Sequence, residues 1–284
     1  MKIKAVWDLL RLEHGLMYAV GVIVGMVVSA GLDFSIKNMF LGALTALFLQ
    51  ASAFALNDYF DYEVDIANKR MDRPLVRGEL SRRTAFIFFL VLAPLGFLTA
   101  YLVSIEAFLL AFVITLFGFL YDAKLKEFGL VGNIYIAFSM AAPFIFGSVV
   151  ATGEIRESSA LLALIAFFSG VGREVMKGIE DVEGDALRDV KTIARTRGVE
   201  AAAKVSACLF LLSVLLSFLP PVFLEEYYMD LKYLIPVAIT DVMLISLSRN
   251  LLIGKIERKD IKRYRKDSLV ALAIGLVGFL GGAL

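Results

Sequence analysis

Two residue types that dominate structural metal sites are almost missing from this chain of 284 residues, which has one histidine, His14, and one cysteine, Cys208. A lone cysteine excludes an intrachain disulfide, and Cys208, in an apolar stretch, reads as a packing residue. One His and one Cys also cannot close a zinc site, which takes about four such ligands. Charge is scarce too, at 20% of residues against about 25% in ordinary domains. The cations are spread along the chain rather than gathered on a basic domain, so nucleic acid is excluded as a partner. No cleavable leader is expected either: Arg11, Glu13 and His14 interrupt the start of the first apolar run, and no clear small-residue cleavage site follows it.

What fills the chain instead is hydrocarbon. Hydrophobic residues make up 59% of the sequence and mean hydropathy is +0.78, which places the protein in a lipid bilayer. A spanning helix needs about 20 apolar residues. Nine such segments are expected, at 14–32, 38–60, 83–103, 105–121, 129–150, 158–180, 199–219, 231–252 and 267–283. The runs are long and do not alternate inward and outward residues, so they predict an all-α bundle and not barrel strands. Of 29 Lys and Arg, all but Lys37, Arg156 and Lys232 fall at the N-terminus, in the even-numbered loops or in the turns beside them. The positive-inside rule then puts the N-terminus in the cytoplasm and the C-terminus outside, as an odd number of spans requires.

Two acidic runs break the apolar pattern, Asn57 to Asp65 and Asp181 to Asp185, each at the cytoplasmic end of a span. Ionisable groups are costly at the membrane and mark ion, substrate or proton sites. At an offset of 120 residues, Asp61-x-Glu63-x-Asp65 superimposes on Asp181-x-Glu183-x-Asp185, which suggests two related helical units within a single domain covering residues 1–284. Asn57 and Asp58 correspond to Lys177 and Gly178, so the first copy is more acidic. On an α-helix, Asp58, Asp61 and Asp65 form one stripe, as do Asp181 and Asp185. Hard carboxylate oxygens on separate turns suit Mg²⁺, which commonly bridges one or two carboxylates to substrate phosphates. Lys69, Arg70, Arg73, Arg77, Lys124, Lys126, Arg188 and Lys191 lie in the same loops and could clamp a diphosphate. Arg173, Lys177, Asp181, Asp185 and Asp189 continue a ladder of charge at intervals of four. The plainer readings stand beside these: membrane orientation for any one loop cation, pairing with arginines for the aspartates, and an interfacial role for Tyr62 and His14.

Asn57-Asp58-x-x-Asp61-x-x-x-Asp65, then Arg73-Pro74-Leu75 and later Asp181-x-x-x-Asp185, resembles the UbiA superfamily of intramembrane prenyltransferases over nearly the whole chain. The resemblance implies nine helices around a central cavity, with Mg²⁺ between the aspartate motifs and a polyprenyl diphosphate bound through it. By position it implies that Asn57, Asp58, Asp61, Asp65, Asp181 and Asp185 hold metal and diphosphate, with Arg73 in the following loop. It also implies a role for Tyr121 and for a lysine after it, either Lys124 or Lys126, since these stand three and five positions on rather than four.

Within the superfamily the shared motifs do not choose the acceptor. The compact N-terminus, with Arg11-Leu12-Glu13-His14-Gly15 entering the first span, and the short loops resemble the archaeal branch that makes digeranylgeranylglyceryl phosphate. That resemblance implies transfer of a geranylgeranyl group from geranylgeranyl diphosphate to the free hydroxyl of geranylgeranylglyceryl phosphate. Arg11 and loop lysines would contact the acceptor phosphate, and Glu13 or His14 would take the hydroxyl proton. The alternatives are a 4-hydroxybenzoate or other aromatic-acceptor polyprenyltransferase and, outside the enzymes, a two-repeat transporter, whose site would sit nearer the midplane. A phosphatidyltransferase lacks support because no Asp-Gly and Ala-Arg arrangement precedes the acidic repeat.

Overall fold

Apolar helices of bilayer length can satisfy their backbone only internally, and the computed structural model, which describes residues 3–123, 129–182, 190–253, 256 and 258–284, has no strand among them. Its helices are α1 (Ile3–Leu10), α2 (Leu12–Ala30), α3 (Ile36–Ala67), α4 (Arg82–Val103), α5 (Ile105–Ala123), α6 (Gly129–Thr152), α7 (Glu157–Glu180), α8 (Ile193–Arg197), α9 (Val199–Leu216), α10 (Pro220–Phe223), α11 (Leu231–Ile253) and α12 (Arg258–Ala283). Among the described residues eight stretches are long and apolar enough to cross a membrane, and Ile105–Tyr121 is a shorter apolar helix. These nine coincide with the nine expected spans. The largest differences are at α12, which starts at Arg258 instead of near residue 267, and at α3, which runs on through Ala67 instead of ending near residue 60.

Local signals set the ends. The Ser35 and Ser81 hydroxyls accept the backbone N–H of Asn38 and Thr84 at the starts of α3 and α4. Between α1 and α2, Arg11 takes a left-handed conformation, φ 43° and ψ 56°, a strained geometry for a residue with a Cβ. α1 was not expected from the sequence. It packs Ala5, Leu9 and Leu10 on Ala51 and Ala55 of α3 and on Leu75 and Leu80 of the loop that follows.

Helix α2 packs against α3, α6 and α7, and α6 also packs against α7. The α2–α6 crossing depends on glycine: a methyl group on Gly25 would lie 2.3 Å from the Phe144 carbonyl oxygen, and one on Gly147 would lie 2.1 Å from that of Val22. Such backbone approach is the usual way membrane helices gain contact where lipid gives no hydrophobic drive. A second core joins α7, α9, α11 and α12 around Met176, Phe210, Leu244 and Ile261.

Candidate active site

At about 1.5 Å per residue, the 32 residues of α3 reach about 48 Å, against about 30 Å of bilayer hydrocarbon. Its last turns therefore stand at one membrane boundary, and they carry Asn57, Asp58, Asp61 and Asp65 on one continuous helix. The carboxylates are not equivalent. Asp58 is 1% exposed, and its Oδ1 accepts the Arg11 Nη2 at 2.6 Å and lies 3.3 Å from the Arg73 Nη1. Arg73 also faces Asp65 at 3.6 Å. The Arg11 guanidinium lies over the Phe54 ring, 4.1 Å from its centroid. Asp58 Oδ2 and Arg73 Nε are buried without a hydrogen bond, so this node depends on charge pairing more than on a complete bonding network.

Two fastenings hold the arginines there. The Arg77 guanidinium bonds Asp8 of α1 and Glu79, each at 2.8 Å, and donates to the carbonyls of Met71 and Asp72. Arg70 grips Asp72 with two bonds of 2.9 and 2.8 Å. That grip holds the Asp72 carboxyl below the usual carboxylate range, and the bond to Asp72 raises Arg70. Asp8, α1 and the Arg70–Asp72 clasp had no place in the sequence reading. The pattern Ala5, Leu9, Leu10 at helical spacing was the available signal for α1.

Asn57 and Asp61 point elsewhere. Asn57 Nδ2 donates to Asp61 Oδ2 at 3.1 Å. Seven and eleven residues before them in turn is Gln50, so all three lie on nearly the same helix face. Gln50 lines a cavity of about 260 Å³ between α2, α3, α4, α5 and α6. Its wall is mostly hydrocarbon and aromatic, including Leu49, Leu56, Phe89, Phe119 and Phe146. Hydroxyls interrupt the wall at Thr45, Ser52 and Thr115, and the Tyr18 hydroxyl donates to Ser139 at 3.0 Å. Tyr121 stacks on Tyr135 with ring centroids 4.4 Å apart, and Tyr135 is a lining residue the sequence did not single out. Thus the acidic end of α3 directly follows the stretch of the same helix that lines an apolar chamber.

The second motif is built differently. α7 ends at Glu180, and Asp181 is its C-cap, its N–H bonded to the Lys177 carbonyl. α7 itself therefore ends just before Asp181, the first of the two aspartates. Lys177 reaches Glu174 at 3.5 Å, Arg173 donates to Ser268 at 3.1 Å, and Arg265 bonds Glu180 at 2.7 Å. Lys191 is exposed. Glu13 and His14 are each about half exposed and 3.6 Å apart, with His14 edge-on to Phe54. Lys124, Lys126, Asp185, Arg188 and Asp189 lie outside the described residues.

Among the described residues no three His, Cys, Asp or Glu side chains gather into a closed metal cage. Mg²⁺ takes one or two protein carboxylates and completes its octahedron with water and phosphate. Asp61 and Asp65 are all-oxygen donors of that kind, one turn apart; Asp58 is paired with two guanidiniums and Asp65 with one.

The UbiA prenyltransferase family model matches residues 18–266. The chain is 57% identical to a digeranylgeranylglyceryl phosphate synthase of Archaeoglobus fulgidus over 281 residues, 99% of this chain and 96% of that one. It is 35% identical to the enzyme of the same name from Pyrococcus furiosus over 286 residues, 100% and 99% of the two chains. A solved structure of a digeranylgeranylglyceryl phosphate synthase superimposes with a TM-score of 0.87 at 28% identity, covering 99% and 98%. A UbiA homologue from Archaeoglobus fulgidus, bound to DMAPP and Mg²⁺, shares the fold with a TM-score of 0.70 at 20% identity, covering 96% and 98%.

Proposed function

The chain belongs to the UbiA prenyltransferase family, and from that premise we propose that it moves a geranylgeranyl group from geranylgeranyl diphosphate to the free hydroxyl of geranylgeranylglyceryl phosphate, releasing diphosphate. It is a membrane-embedded enzyme, and the product is an archaeal diether lipid. The observation that carries this reading is the polar row Gln50, Asn57 and Asp61, which leads from an apolar chamber to the acidic helix end. A prenyl diphosphate has the same two-part character. Its tail partitions into the chamber at about 25 cal/mol per Å² buried, while its head meets the charged mouth.

Asp61 and Asp65, with Asp181 and Asp185, would hold Mg²⁺, which neutralises the diphosphate and favours its departure. The allylic carbon–oxygen bond breaks with its electron pair going to diphosphate. The acceptor hydroxyl oxygen then bonds to the allylic carbon and gives up its proton. The protein's part is placement and exclusion. Asn57 orients Asp61; Arg73, Lys177, Lys191 and Lys124 or Lys126 balance diphosphate charge, with Tyr121 beside them. The aromatic wall keeps out water that would quench the allylic cation, and ring faces favour positive charge. Arg11 serves the acceptor phosphate, and Glu13 or His14 takes the proton. The cation distribution supports a mouth facing the cytoplasm.

The test is product analysis with geranylgeranyl diphosphate and Mg²⁺, offering geranylgeranylglyceryl phosphate and 4-hydroxybenzoate in parallel. A Mg²⁺-dependent diether is expected. A prenylated benzoate, with no diether, would move the protein to an aromatic acceptor.

A further inference from the structure

A second hydrocarbon pocket, of about 230 Å³, lies between α5, α6 and α7, and every side chain lining it is apolar. Leu110, Phe138, Ala141, Ala163, Leu164 and Phe167 face it, and it shares Ile114 and Ala142 with the main cavity. The two chambers therefore meet across one residue of α5 and one of α6. Their depths can be compared along the helices. Near the mouth, Phe119 touches Phe60 of the acidic motif and Tyr121 stacks on Tyr135. Ile114 stands five residues before Phe119 and Ala142 seven after Tyr135, so the junction lies about 10 Å deeper. On α7 the pocket ends at Phe167, about 15 Å short of Lys177. The two spaces thus share walls on α5 and α6, deeper than the acidic end of α3.

We propose that the side pocket receives the distal part of the acceptor's isoprenoid chain, while the donor's tail occupies the main cavity. This rests on the reading that the enzyme makes a diether. At the moment the second ether forms, two long chains diverge from neighbouring oxygens of one glycerol, so two hydrocarbon compartments must converge on the mouth. The main cavity is walled by α3, whose end carries the motif for diphosphate, which assigns it to the donor. The side pocket, of nearly equal volume, takes the other chain. Its binding energy is remote from the reacting atoms and equal in ground and transition states, so it appears in KM for the acceptor rather than in kcat.

The experiment narrows the pocket with Ala163→Phe and, from a less buried position in the same wall, Ala160→Phe. Kinetics are compared for geranylgeranylglyceryl phosphate and a ten-carbon geranylglyceryl analogue. KM for the long acceptor should rise about tenfold or more, with the short acceptor and the donor nearly unaffected. A penalty that follows donor length, or no penalty in a folded variant, overturns the assignment. In the unaltered enzyme, an acceptor with a photoreactive group at its chain end should label residues 138–145 or 160–167; labelling confined to α2 or α3 also overturns it. Failure of the diether reading would look different, since the unaltered enzyme would then make no diether from either acceptor.

Discussion

The ends of α3 and α7 carry the same acidic spacing, yet they are assembled in different ways. α3 continues as helix past all three of its aspartates, and its charges are enclosed: Asp58 is buried between Arg11 and Arg73, and α1 and the following loop are bolted over it through Asp8, Arg77 and Glu79. α7 stops where its acidic run begins, and the charges before that point are paired along its own length or to α12. We assign the carboxylates of the first end two jobs: Asp61, on nearly the same helix face as the cavity-lining Gln50, to metal and diphosphate, and Asp58, paired with Arg11 and Arg73, to holding the N-terminal helix and loop in place. Preorganised charge of this kind costs no rearrangement at the reacting moment.

That contrast can be broken in graded steps. Asp61→Asn should lower turnover by about 10² to 10³-fold, the scale of losing one preorganised electrostatic contact, while the melting temperature stays close to that of the parent. Asp181→Asn, measured beside it, should fall in the same range if both ends hold the leaving group; an unaffected Asp181→Asn would leave α3 carrying the chemistry alone. Asp58→Asn should act mainly on stability, because it strands two guanidiniums in a buried node, a loss of about 3–5 kcal/mol. Thermal unfolding in detergent reads it, and a double-mutant cycle with Arg11→Gln should return clear coupling.

Smaller effects belong to the outer fastenings. Glu180→Gln, which opens the partly buried bridge to Arg265, should cost about 1 kcal/mol. Asp72→Asn should cost less again, since Asp72 is 58% exposed. The sign of its pH dependence is fixed by Arg70, which depresses the folded-state value. Its contribution is present above about pH 4, where the unfolded carboxylate is ionised, and is lost as pH falls through the depressed folded value. Acid melts of parent and variant should therefore converge only at the low end.

Much of this architecture could be read from residues alone, because bilayer hydrocarbon imposes length and apolarity on each span and a three-and-four spacing imposes a stripe. The nine apolar segments and the side-by-side placement of Asp58, Asp61 and Asp65 came from those two constraints. What was not legible depends on contacts distant in sequence. Arg11 and Asp58 are 47 residues apart, and nothing in the local pattern separates an aspartate held by guanidiniums from one turned to a cavity. The C-cap at Asp181 was missed because the acidic periodicity continues beyond the residue where the helix ends. Tyr135 was hidden among belt-like aromatics, and its part became evident only through its stack on Tyr121.

The division of labour between Asp61 and Asp58 is tested most directly by the Mg²⁺ concentration that gives half-maximal diphosphate release, measured at a temperature where both Asn variants remain folded. Asp61→Asn should raise it by about tenfold or more, because a carboxylate ligand is lost, and Asp58→Asn should leave it within about twofold of the parent. Equal shifts in both, or a larger shift in Asp58→Asn, would contradict the assignment of Asp58 to the scaffold and of Asp61 to the metal and diphosphate.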